Sequence, residues 1–150
     1  GLHIALLVGV GVVATPVIGY ISDRLGRKLV LIPEMIALCA LSALLVPFGE
    51  GIGLIVILAL MGLFFFSDQP ILTAAALDTV GQGVAASALG VFSFSRFALG
   101  AASPIIAGEL FDSVGIESTF YYISGIYLLA TLVLVAVPLS VKQPQTDQGG

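Results

Sequence analysis

The chain has 150 residues, of which 59% are hydrophobic and only 9% are charged. Water-soluble domains carry about a quarter charged residues, so this composition excludes a water-soluble globular domain and indicates a protein whose solvent is lipid. The net charge of -4 says little about partners, because the charges of a membrane protein act through their positions. No nucleic-acid partner is expected.

Five long apolar stretches follow one another along the chain. A helix needs roughly 20 mostly apolar residues to cross a hydrocarbon layer of about 30 Å. Residues 54–61 lack the alternation of lipid-facing and lumen-facing residues that barrel strands show. The sequence therefore predicts an all-α membrane protein with five transmembrane helices, near residues 2–19, 29–48, 52–76, 84–111 and 120–139.

Small residues recur at every fourth position of the first predicted span, at Gly11, Thr15 and Gly19. Such a stripe lies on one helix face and lets a neighbouring backbone approach closely. The fourth span repeats the pattern at Gly100, Pro104 and Gly108. Either stripe fits helices that slide past each other, and either fits tight static packing.

The loop after the first span carries most of the basic side chains of the chain. Its chemically informative residues are Gly19, Asp23, Arg24, Gly26, Arg27 and Lys28. The two glycines permit a tight turn, and the aspartate can accept hydrogen bonds from a neighbouring helix N-terminus. The three basic side chains can pair with carboxylates or lipid phosphates. A cluster of this kind can hold two groups of helices together in one state and release them in another.

The distribution of Lys and Arg predicts how the chain sits in the membrane. Three basic residues lie in the first loop and Lys142 follows the fifth span, whereas the loops on the opposite face contain no Lys or Arg. Basic residues in short loops stay on the cytoplasmic side. We therefore expect the first loop and the carboxyl terminus to be cytoplasmic in the cell (inner) membrane. Residues 141–150, which are rich in Gln, Pro and Gly, are expected to form a disordered tail.

The order of residues in the first loop resembles the signature loop of the major facilitator superfamily, G-x-x-x-D-R-x-G-R-[RK]. Gly19, Asp23, Arg24, Gly26, Arg27 and Lys28 fill its positions. The alternative is that they are ordinary topology-fixing charges. The resemblance implies a twelve-helix bundle that moves a small solute by alternating access, and it implies that the loop is part of a gate.

The family pattern places this loop after the second helix and again after the eighth, because the two halves of the bundle are repeats. The chain lacks an initiator Met and an odd number of spans is predicted, so we read it as the end of a longer protein. The third span contains no Arg, unlike the usual fourth helix, and residues 104–115 resemble the junction of helices eleven and twelve. These features favour helices eight to twelve, with the amino-terminal half as the missing partner.

Ionisable residues at bilayer depth are costly and face a cavity or each other. Arg96 lies roughly 18 Å into the fourth span and Asp68 roughly 12 to 15 Å into the third, counted from the cytoplasmic side. They are either a substrate-binding or proton-coupling pair or a buried structural ion pair. Glu34, roughly 9 Å deep, is read first as a charge partner of Arg27 or Lys28 and second as a coupling carboxylate.

Catalysis is not expected, since the sequence has no His cluster for a metal, no Cys pair and no nucleophile beside a base. Neither a metal nor a cofactor is predicted. Two functions remain: secondary active transport of a small solute with H⁺ or another coupling ion, and a non-transporting membrane sensor or assembly module that keeps the fold.

Overall fold

The computed structural model describes residues 1–80 and 82–137. In these residues the fold is all-α. The helices are α1 (Leu2–Leu25), α2 (Arg27–Phe48), α3 (Gly51–Phe65), α4 (Asp68–Val80), α5 (Ala85–Val114) and α6 (Ile116–Ala136), with a short 3-10 turn over Gln82–Val84 before α5. Lys142, the end of the fifth predicted span and the predicted tail lie outside the described residues.

Five helical segments are long and apolar enough to cross a membrane: Leu2–Leu25, Arg27–Phe48, Gly51–Asp78, Ala85–Val114 and Ile116–Ala136. Because α1, α2, α5 and α6 are each a single span, while α3 and α4 share one, the predicted fold class is confirmed. The first helix continues six residues past the predicted end of its span at residue 19, so that residues 20–25 of the signature loop are helical.

The third span is broken where the sequence predicted one continuous stretch. Helix α3 ends at Phe65 and α4 begins at Asp68. Pro70 lies in the first turn of α4, where its ring has no N–H and crowds the carbonyl four residues earlier, that of Phe66. The break therefore falls at Phe66 and Ser67, and the Ser67 N–H turns back to the Phe64 carbonyl at 3.0 Å.

Two helix junctions are made by single glycines. Gly26 joins α1 to α2 with φ of 101°, and Gly115 joins α5 to α6 with φ of 107°. A backbone with positive φ is readily adopted only by glycine, and each glycine N–H bonds back to its preceding helix, for Gly26 to the Ser22 carbonyl at 3.0 Å. The two junctions lie at opposite ends of the bundle, since three membrane crossings separate them.

Helix α2 is the centre of the packing, with α6 on one side and α3 on another. The core cluster consists of Leu38, Leu41, Leu45, Ile57 and Met61. Helix α5 has no buried residue, and much of α1 is exposed as well. The apolar surface of these two helices is available to lipid or to further helices.

One glycine of the predicted stripes sits at a close helix contact. Helices α1 and α3 approach so closely that a Cβ on Gly11 would collide with the Phe66 ring, and a Cβ on Gly62 would lie 2.5 Å from the Leu7 carbonyl oxygen. A Cβ on Gly19, Gly100 or Gly108 would meet nothing within 4 Å. Of the stripe glycines, all of which lie in the described residues, Gly11 alone is at such a close contact.

This contact predicts the effect of a single methyl group. Gly62→Ala should destabilise the bundle by about 1 to 3 kcal/mol, the usual cost of overpacking, because the obstacle is backbone and cannot rotate away. Gly125→Ala on α6 is the control, since its Cβ would enter open space. Unfolding of the purified protein by titration with a denaturing detergent gives the free-energy change; equal stability of the two variants would contradict the close contact.

Candidate functional site

The signature loop forms a compact junction of charged side chains at one end of the bundle. Arg27, the first residue of α2, reaches back to α1, where its Nη1 lies 3.1 Å from Asp23 Oδ1. Its Nε donates to Asp78 Oδ2 at 2.7 Å, near the end of α4. The guanidinium group therefore links three helices through two carboxylates.

The two carboxylates differ in exposure. The side chain of Asp78 is 30% exposed and that of Arg27 24%, whereas that of Asp23 is 65% exposed. Water screens an exposed ion pair more strongly than a partly buried one. The Arg27–Asp78 pair is thus the stronger of the two, and Asp23 keeps most of its carboxylate open to further partners.

Lys28 adds a fourth helix to this junction. Its Nζ donates to the carbonyl oxygens of Val135 and Val137, each at 2.9 Å, where α6 ends. The last carbonyls of a helix have no partner within the helix, and a nearby Lys can satisfy them. Arg27 and Lys28 together tie the ends of α1, α2, α4 and α6, and we call this set of contacts the basic junction.

The remaining two residues of the predicted signature act differently in this structure. The guanidinium carbon of Arg24 lies 4.7 Å above the ring centre of Tyr20, a cation–π contact within α1. A side chain on Gly19 would meet nothing within 4 Å. In the described part of the chain neither of these contacts of Arg24 and Gly19 joins α1 to another helix, so both residues are available to groups outside the described residues.

A second polar cluster lies deep between the helices, at the break in the third span. Glu34 on α2 is only 2% exposed and Ser67 is fully buried. The Ser67 hydroxyl is hydrogen-bonded to Glu34 Oε1, and the same hydroxyl lies 2.8 Å from the Phe64 carbonyl oxygen. Glu34 Oε2 is buried without a hydrogen-bond partner among the described residues.

Glu34 therefore does not form the predicted ion pair with Arg27 or Lys28. Arg27 is engaged by Asp23 and Asp78, and Glu34 is held by Ser67 instead. The physical reason is depth: Glu34 lies about 10 Å along α2 from Arg27, and the break at Ser67 brings a hydroxyl directly against it.

Asp68 and Arg96 are near each other but do not form a direct pair. In the described part of the chain no nitrogen of Arg96 comes within 4 Å of the Asp68 carboxylate, although the guanidinium group is close enough to interact electrostatically with it. Asp68 Oδ1 is buried without a hydrogen-bond partner in the same residues. Arg96 is exposed on α5, and the Tyr127 side chain of α6 is within electrostatic range of both Asp68 and Glu34.

Three residues of these clusters are absent from the predicted site: Ser67, Asp78 and Tyr127. Asp78 follows the third predicted span, which by alternation of the spans ends on the same membrane face as the first loop, but no local pattern pairs it with Arg27. Pro70 marked a helix break beside Ser67. No local sequence pattern predicts that Tyr127 lies near these groups, because its position depends on how α6 packs against α2.

Two open grooves run along the described surface. The larger, of about 810 Å³, lies between α1 and α3 and is apolar, with Val10, Val13 and Phe64 among its lining. The smaller, of about 520 Å³, lies between α4 and α5 and contains Ser87 and Ser95. Neither Asp68 nor Arg96 lines these grooves. No group of His, Cys, Asp and Glu in the described residues could hold a metal ion.

Five apolar helices that are long enough to cross a bilayer, with a basic junction at one end of the bundle, define an integral membrane protein of the helical-bundle class. A family model, that of the Major Facilitator Superfamily, matches residues 1–150. The chain belongs to the major facilitator superfamily, whose members are membrane transporters. No curated protein and no solved structure gives a significant match.

The basic junction makes a prediction about stability. Arg27→Gln and Asp78→Asn should each lower the free energy of unfolding by about 0.5 to 1 kcal/mol, and the double variant should lower it by little more than either single change, because both remove the same contact. Asp23→Asn should have a smaller effect, since that carboxylate is mostly exposed. Additive losses in a denaturing-detergent titration would show that Arg27 and Asp78 do not interact.

Proposed function

We propose that the protein moves a small solute across the cell (inner) membrane by secondary active transport, through alternating access between two halves. Membership of the superfamily supports transport as the general activity. The basic junction supports alternating access, because one arginine and one lysine join the ends of four helices at a single face of the bundle. Such a contact set can close that face in one state and open it in another.

In this proposal the chain supplies helices eight to twelve, with residues 1–140 in the helical bundle and 141–150 as a cytoplasmic tail. The signature loop then lies on the cytoplasmic side, as the distribution of Lys and Arg favours. The amino-terminal half would cover the exposed faces of α1 and α5. The Asp23 carboxylate, with 65% of its side chain exposed, is the part of the junction best placed to contact that half.

Asp68 and Arg96 are the proposed substrate or coupling residues. A structural ion pair buries both partners in contact, but Arg96 is exposed on α5 and makes no direct pair with Asp68 within the described chain. An arginine left open at membrane depth favours a role toward a cavity or a charged solute. This supports the functional interpretation of the pair over the structural one.

Transport assays test this role. We expect Asp68→Asn and Arg96→Gln each to lower the uptake rate by about tenfold or more, which corresponds to roughly 1.4 kcal/mol of lost interaction. The assay uses proteoliposomes of the full-length protein and a solute found by counterflow screening. Glu109→Gln, an exposed carboxylate on α5, is the matched control and should leave uptake unchanged. Normal uptake in both test variants would remove the pair from the mechanism.

A second assay tests the gate without knowledge of the solute. In a Cys39→Ser background, Ala76→Cys places a thiol in the groove between α4 and α5. Asp23→Asn should increase its rate of modification by a maleimide several-fold, because a weaker junction spends more time open. Asp112→Asn is the matched control, since Asp112 also precedes a junction glycine by three residues.

Equal modification rates in the two variants would contradict the gating role of Asp23. Absence of uptake of every solute in the screen by the wild-type protein would favour the alternative function, a non-transporting sensor or assembly module with the same fold.

A further inference from the structure

Among the described residues no cation lies beside the carboxyl group of Glu34. Helix α2 packs against α1, α3, α4 and α6. Helix α3 has no ionisable side chain, and α1 carries its own only near its two ends. Asp68 from α4 and Tyr127 from α6 are the ionisable neighbours that act on Glu34 electrostatically. Arg27 and Lys28, on its own helix, are engaged at the basic junction.

A carboxylate in this position would be costly. Glu34 is 2% exposed, and Oε2 has no hydrogen-bond partner within the described chain. An ionised group taken out of water without a counterion is far less stable than its neutral form, and a second carboxylate nearby adds repulsion. Of the two acids, Glu34 is the more deeply buried, since Asp68 is only partly buried. Glu34 is therefore the one that needs a proton.

The hydroxyl of Ser67 offers the carboxyl group of Glu34 a hydrogen-bond partner. A hydroxyl has one hydrogen to donate and can also accept, and Ser67 Oγ lies against both Glu34 Oε1 and the Phe64 carbonyl oxygen. With a neutral Glu34, the acid can donate to Ser67 Oγ while Ser67 donates to Phe64. With an ionised Glu34, the hydroxyl must turn to the carboxylate, and the Phe64 carbonyl keeps only the backbone N–H of Ser67.

We propose that Glu34 is a proton-binding site, and that its proton is held by a hydrogen-bond relay from Glu34 through Ser67 to the Phe64 carbonyl at the break between α3 and α4. Loss of the proton reverses the Ser67 hydrogen bond and removes a donor from the last turn of α3. Protonation of Glu34 is thereby linked to the bend in the third span. That this proton is also the coupling ion for solute movement is an extension that rests on the proposed function.

Infrared spectroscopy of the full-length protein in lipid nanodiscs tests the site without any solute. At neutral pH the difference between wild type and Glu34→Gln should contain the carbonyl stretching band of a protonated carboxyl group, and this band should move to lower wavenumber in D₂O. Ser67→Ala should keep the band but shift it to higher wavenumber, because the acid loses the acceptor to which it donates. Glu109→Gln is the control and should retain the band unchanged.

Three results would overturn the proposal. One is a difference spectrum with carboxylate bands only, which would mean that Glu34 is ionised. Another is a protonated-carboxyl band that persists unchanged in Glu34→Gln. The third is loss of the band when choline chloride is replaced by sodium chloride, which would assign the site to a metal cation. Glutamine can still donate a hydrogen bond to Ser67, so Glu34→Gln should fold. If this variant does not fold, the shift of the carbonyl stretching band in Ser67→Ala tests the proposal instead. Absence of transport by the wild type would affect only the proposed function.

Discussion

The contact on which the arrangement of this bundle most depends is made by two adjacent basic side chains. Arg27 joins α1 and α4 through Asp23 and Asp78, and Lys28 holds the end of α6. In a bilayer, lipid competes with every apolar contact between helices, so burial of apolar surface supplies little force to bring helices together. Charge-assisted hydrogen bonds at the membrane surface are specific and directional. They specify which helix ends meet, and van der Waals packing along α2 acts together with them to hold the helices in place.

The deep polar cluster depends on the same central helix. Because Pro70 interrupts the third span, backbone groups near Phe64 and Ser67 leave the regular hydrogen-bond pattern at membrane depth. Irregular backbone at that depth is tolerated only where protein or a water-filled cavity satisfies it. Ser67 and Glu34 meet this requirement from the α2 side. The basic junction and the carboxyl cluster are thus both anchored on α2, with Glu34 about 10 Å along the helix from Arg27.

Much of the fold could be predicted because it is determined by local composition. Hydropathy predicted the membrane-crossing helices, and the motif between Gly19 and Lys28 indicated the family. The break at Ser67 was not predicted, because residues 52–76 form one long apolar stretch in which Pro70 is the single sign of an interruption. The partner of Glu34 was missed for a different reason: depth was measured along one helix, whereas the contact comes from Ser67, 33 positions away in the break between α3 and α4. The contact of Arg27 with Asp78 spans 51 positions, and such pairings depend on packing that no local pattern specifies.

The single-glycine connections have a mechanical meaning. Two helices joined by a single residue cannot separate at that end, so a displacement of one helix end also displaces the other. In the α1–α2 and α5–α6 hairpins a change in the tilt of one helix is therefore expected to displace the end of its neighbour, and the two connections lie at opposite ends of the bundle. The connection from α4 to α5 is longer, since four positions, 81–84, separate these two helices along the chain.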